Sequence, residues 1–195
     1  LILREGIAVL EIPPTPPGKT FISCLTHDID FVYLRQHLFD HTMFGFLYRA
    51  TIGSFRDFLG GRKSFGKLLT NSIAAFKLPW VHLGWCTDFW QQFGGYLKVE
   101  NGRPSTFFII PFKNRPGKPK TGSNNKRRAT RYDAGDIPEW LKTLRDNGCE
   151  IALHGIDAWT DVNRADAESQ RIKSCTGQSP AGVRIRKALT PAAPT

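Results

Sequence analysis

Leu25-Thr26-His27-Asp28-Ile29-Asp30 follows directly on the apolar run Phe21-Ile22-Ser23-Cys24. The run from Thr20 to Leu25 predicts a buried strand. Asp28 and Asp30, just past its end, face the same way because side chains alternate along extended chain. Active sites of α/β folds sit at the carboxyl ends of strands. There, one acid can hold a metal while the other takes a proton from water. A second strand-like run, Cys149-Glu150-Ile151-Ala152-Leu153, ends in His154-Gly155-Ile156-Asp157 and again delivers metal-capable residues to a strand end.

Upstream, residues 1–19 form a Pro-rich segment, Ile12-Pro13-Pro14-Thr15-Pro16-Pro17-Gly18 at its close, that cannot continue a helix or a central strand. Downstream, residues 31–100 are helical in character. Phe39, Met43, Phe46, Leu47 and Ala50 keep helical spacing, and Phe65, Leu68, Leu69, Ile73 and Phe76 repeat it until Pro79 stops the pattern. A second strand is expected over Ser105–Ile110, between Pro104 and Pro111. A helix from Ile137 to Asp146 follows, with Asp136 as N-cap and Gly148 near its end. The strand Cys149–Leu153, a helix from Arg164 to Ser174 closed by Gly177, and a last strand Gly182–Ile185 complete an alternation of strands and helices. That alternation predicts an α/β fold with a mostly parallel sheet or barrel and a helical insertion between its first two strands. Residues 187–195 read as an irregular tail.

The chain has 195 residues, 41% hydrophobic and 23% charged, enough for one domain with a real core. No apolar run approaches the ~18 residues of a membrane span. The first residue is Leu1 and no secretory leader is visible, which favours the cytoplasm. Cys24, Cys86, Cys149 and Cys175 are widely spaced, without a C-x-x-C pair, and read as small hydrophobes of a reducing compartment. The net charge is +10, concentrated in the loop 113–131 with Lys113, Arg115, Lys118, Lys120, Lys126, Arg127, Arg128 and Arg131. Without interleaved aromatic stacking platforms this basic loop argues against specific nucleic-acid binding. It reads as a solvated segment or a contact for an anionic ligand or a membrane surface.

Four features in order resemble the polysaccharide deacetylase (NodB-homology) superfamily over residues 20–186. They are Asp28-Ile29-Asp30 after the first strand, Ser105-Thr106-Phe107-Phe108, Glu150-Ile151-Ala152-Leu153-His154-Gly155, and Gly182-Val183-Arg184. The resemblance implies a partial parallel (β/α) barrel and a metal-dependent hydrolase removing N-acetyl groups from an amino-sugar glycan. Asp28 would be the catalytic base, Arg184 the residue that orients it, and Asp30 and His154 metal ligands. The cation would be Zn²⁺, or Co²⁺ or Fe²⁺, polarising the acetyl carbonyl and activating water. The family's second metal histidine would fall at Ala158, so Asp157 is the nearest substitute. A histidine expected two residues after Arg184 is Arg186, and the late motifs would lie beyond residue 195. The alternative is therefore a non-catalytic or truncated α/β domain that binds glycan or an anionic partner. Trp159 is a candidate for stacking on a sugar.

Each residue also has a plainer role. An Asp-x-Asp after a strand often caps a helix or turn, and Asp157 could cap a helix beginning near Ala158. His154 could be a hydrogen-bonded core residue. His27 should point away from Asp28 and act structurally. Arg184 in an apolar strand needs a carboxylate partner, which Asp28 or Asp30 would supply.

Overall fold

The computed structural model describes residues 18–118 and 129–185. The segment before residue 18, residues 119–128 of the basic loop, Arg186 and the tail lie outside the described residues. Four strands, β1 (Leu25–Ile29), β2 (Ser105–Ile109), β3 (Glu150–Gly155) and β4 (Val183–Ile185), form one sheet, parallel throughout and in the order β1-β2-β3-β4. Parallel neighbours need long crossovers. Helices α4 (Phe93–Glu100), α5 (Pro138–Asp146) and α6 (Val162–Thr176) lie in these connections.

Alternation divides the sheet into two unlike faces. Ile29, Phe107, Ile109, Ile151 and Leu153 pack with Phe93 of α4, Leu141 and Leu144 of α5 and Ile172 of α6 into the main core. On the other face, the register sets Asp28 beside Phe108, Phe108 beside Ala152, and His154 beside Arg184. α5 starts with Pro138 at its first turn, where no amide hydrogen is needed. α6 is capped by Asp161, whose carboxylate accepts the Arg164 amide at 2.9 Å, and it ends on Gly177 at φ +76°.

Between β1 and α4 the chain builds a separate helical layer: α1 (His41–Tyr48), a π turn over Arg49–Gly53, α2 (Ser54–Leu59) and α3 (Phe65–His82). Its small core is Leu34, Met43 and Leu78, with Phe46, Leu47, Phe89 and Trp90 against it. The helical stretch expected over 31–100 is thus two things. α1 to α3 are an insertion, whereas α4 belongs to the sheet layer through Phe93.

Several boundaries differ from the sequence reading, each for a physical reason. β1 is not Thr20–Leu25: Phe21 and Ile22 are 75% and 56% exposed, Cys24 is exposed rather than buried, and the strand is the alternating segment that follows. Asp28 is therefore inside the strand and Asp30 just past it. Pro79 does not end α3, which runs on to His82 because Leu78 and Val81 are buried and offset the backbone bond that proline cannot make. Asp136 does not cap α5. Its carboxylate turns back to the Asp133 amide at 3.0 Å in a capping box of the preceding 3-10 turn, and Ile137 takes the cap position. β3 continues past Leu153 to Gly155, which brings His154 into the ladder.

Candidate functional site

The face of the sheet opposite the main core gathers the charged residues of three strands. Arg184 on β4 reaches across to β1, its Nε 3.0 Å from Asp28 Oδ2. On the way its guanidinium passes 5.9 Å from the Phe108 ring centroid on β2. Of the two acids that could answer Arg184, Asp28 is the one that does. The pair is partly open to water, with side-chain exposures of 29% for Asp28 and 51% for Arg184, so its energetic worth is modest and its geometry matters more.

Asp30, one turn of alternation further on, lies beside His154. His154 Nε2 is 3.9 Å from Asp30 Oδ1, and the histidine is almost fully buried. Above His154 is a small pocket walled by Ile110, Arg115, Gly117, Lys118 and Trp159. Trp159 is half-buried there, its indole N–H donating to the Ile156 carbonyl at 3.2 Å. The structure therefore brings together Asp28 with Arg184 and Asp30 with His154, and it sets Trp159 beside the histidine.

Asp157 is engaged differently. Its Oδ1 accepts the Lys118 amide at 2.6 Å and its Oδ2 accepts Arg164 Nη1 at 3.0 Å. It does not cap the next helix, which starts at Val162 under Asp161. Among the described residues no group of three or more His, Cys, Asp or Glu is arranged to hold a metal ion. Asp157 instead ties the loop after β3 to the loop after β2. Gly117 makes that contact possible: at φ +74° a Cβ there would stand 3.1 Å from the Ile156 carbonyl oxygen and 3.2 Å from its side chain.

Two supporting residues carried no sequence signal. Glu168 on α6 accepts the amides of Ile156 at 3.0 Å and Asp157 at 2.7 Å, fixing the loop that leaves His154. Burial pushes its carboxyl above the usual range, although the two amides pull the other way. Tyr132 is buried at the carboxyl ends of β1 and β2. Its hydroxyl donates to the Ile29 carbonyl and accepts the Ile110 amide at 3.4 Å. Burial drives its phenol well above the ordinary value, so the hydroxyl remains a donor. On the core face His27 points away from Asp28, as expected. It pairs with Glu100, which also accepts Ser105 Oγ at 2.8 Å, and stacks between Tyr96 and Phe107 at 4.5 and 4.6 Å. Tyr132 follows a glycine- and lysine-rich loop, and Glu168 reads as one more acid on a solvated helix. Only tertiary contacts reveal either.

No family model matches the chain, no curated protein matches its sequence, and no solved structure matches its fold.

Proposed function

We propose that this chain is a metal-dependent hydrolase of the polysaccharide deacetylase type, acting on the N-acetyl groups of an amino-sugar glycan. The observation that carries the reading is the Asp28–Arg184 pair standing next to Asp30 and His154 at the carboxyl ends of parallel strands. A (β/α) barrel segment is supported by the sequential strand order and by that same ion pair. In a flat sheet with strands ~4.8 Å apart, β1 and β4 would lie about 14 Å apart, too far for one arginine and one aspartate to meet. The sheet must curl towards this face.

Asp30 Oδ1 and His154 Nε2 are 3.9 Å apart, and a closing of about 0.3–0.6 Å would bring them to the separation of two tetrahedral donors that each stand about 2.0–2.2 Å from one ion. These two donors fit a divalent cation. Asp157, held by Lys118 and Arg164, supplies no third. When bound, the cation would polarise the amide carbonyl of the substrate. The protein's own part is then plain. Asp28 accepts the proton of the attacking water, and Arg184 fixes the carboxylate by a charge-assisted hydrogen bond. Trp159 offers a ring face to the sugar, and Arg115 and Lys118 line the approach.

The test is zinc titration calorimetry on the wild type, Asp30→Ala and His154→Ala. Binding of about one equivalent by the wild type, lost in both variants, is the expected result. Acetate release from N-acetylglucosamine oligomers should then vanish in Asp28→Asn while zinc affinity stays. A wild type that binds no zinc overturns the hydrolase reading. The engagement of Asp157 elsewhere favours a second reading, a non-catalytic domain that binds glycan or an anionic partner at the pocket beside Trp159. It predicts oligosaccharide binding, weakened by Trp159→Ala, with no acetate released.

A further inference from the structure

Helix α3 is apolar on two sides, and only one of them is packed. Leu78 and Val81 are buried towards the body of the protein. Phe65, Leu69, Ile73, Phe76 and Leu83, spaced by three, four or seven residues, fall on a single stripe of the helix facing water. Their exposures are 64, 49, 45, 72 and 63%. A surface helix normally turns such a stripe inward. The stripe extends past α3, since the Phe58 ring of α2 meets Phe65 at 6.0 Å and Trp85, just beyond the helix, is 74% exposed. A continuous apolar surface of this kind marks an interaction site.

The charge around it identifies the partner. Between His41 and Leu83 the sequence carries six lysines and arginines and one acid, Asp57. That acid is already held by Arg62 at 3.0 Å and Lys63 at 3.2 Å. Lys77 borders the stripe, where its stem can lie along apolar surface with the ammonium in a polar layer. No helix among the described residues is long and apolar enough to cross a membrane. An apolar stripe bordered by Lys77, in a helical layer of net positive charge, with aromatic rings and a terminal tryptophan, suits the plane of a headgroup layer.

We infer that α2 and α3 form a docking surface for anionic phospholipid, with the stripe of α3 seated among the acyl chains and the surrounding cations on the headgroups. This surface belongs to the insertion and is independent of the chemistry proposed for the sheet.

The experiment is co-sedimentation of the full chain with vesicles of phosphatidylcholine alone and of an equal mixture of phosphatidylcholine and phosphatidylglycerol, with tryptophan emission read in parallel. The expected result is binding to the mixed vesicles, weaker at high salt, with a blue shift of emission. Phe65→Ser/Phe76→Ser should lower that affinity about tenfold or more, with the circular dichroism unchanged. Lys77→Glu should lower the preference for the anionic vesicles. Failure of the wild type to bind, equal binding to both vesicles, or unchanged binding by the phenylalanine variant each overturns the inference. So does a dimer in solution that Phe65→Ser/Phe76→Ser dissolves, since a second copy would then cover the stripe.

Discussion

Replacing Tyr132 by Phe removes one oxygen and keeps the ring, so the core around it stays filled. What is lost is a donor to the Ile29 carbonyl and an acceptor for the Ile110 amide, at a side chain that is 1% exposed. The amide bond, at 3.4 Å, is long and contributes little. The carbonyl contact dominates. A buried hydrogen bond is worth about 1 kcal/mol net, and stranding its acceptor costs about 1–3 kcal/mol. The expected destabilisation is therefore about 2 kcal/mol, or about thirtyfold in the folding equilibrium. In urea, with a slope of about 2 kcal/mol per molar, the midpoint should fall by about 1 M and the slope should not change. A fall below about 0.2 M would refute the reasoning, because it would mean that water replaces the hydroxyl at no cost. Ile29 lies between Asp28 and Asp30, so the same variant should also weaken the zinc binding proposed for Asp30 and His154.

Gly117→Ala should cost about 1–3 kcal/mol, since the position combines a left-handed backbone with contacts to Ile156 that a Cβ would crowd; thermal unfolding measures it. The pH dependence of Glu168→Gln has a definite sign. Burial raises the folded-state pKa of Glu168, so its contribution to stability is present below the unfolded value and is lost as pH rises through the folded one. The stability gap between wild type and Glu168→Gln should narrow as pH rises from about 4 to about 6, and urea midpoints at both pH values that show it widening would reverse the assignment.

Regular alternation was legible wherever one face of a strand is dry. Ser105–Ile109 and the body of β3 follow from their sequences within a residue or two. β1 was displaced because Phe21-Ile22 carries the stronger apolar signal yet stays exposed. The real strand hides its pattern in Leu25, His27 and Ile29, with one of its inward residues a histidine. The partner of Arg184 could be narrowed to Asp28 or Asp30 because a guanidinium in a strand requires an acid and few candidates lay at strand ends; the fold decides for Asp28. The partners of Asp157 could not be read in the same way. They depend on how the loop carrying Gly117 and Lys118 folds against the loop after β3, which has no local signature. Pro79 misled because the burial of Leu78 and Val81 is a tertiary matter that helix-breaking rules do not see.

The contact between Arg184 and Asp28 joins the first strand of the sheet to the fourth. All the contacts between neighbouring strands can form before it does, and it has the largest sequence separation of any contact in the site. Such long-range pairings are late events in folding, because the chain between their ends must first be ordered. Asp28 and Arg184 therefore come together only when β4 has docked on β3. A chain with the first three strands in place would hold Asp28, Asp30 and His154 without Arg184 to fix Asp28. The pair thus acts as a checkpoint on assembly: its geometry is complete only after the sheet is, so partly folded chains would hold Asp28 without its guanidinium partner.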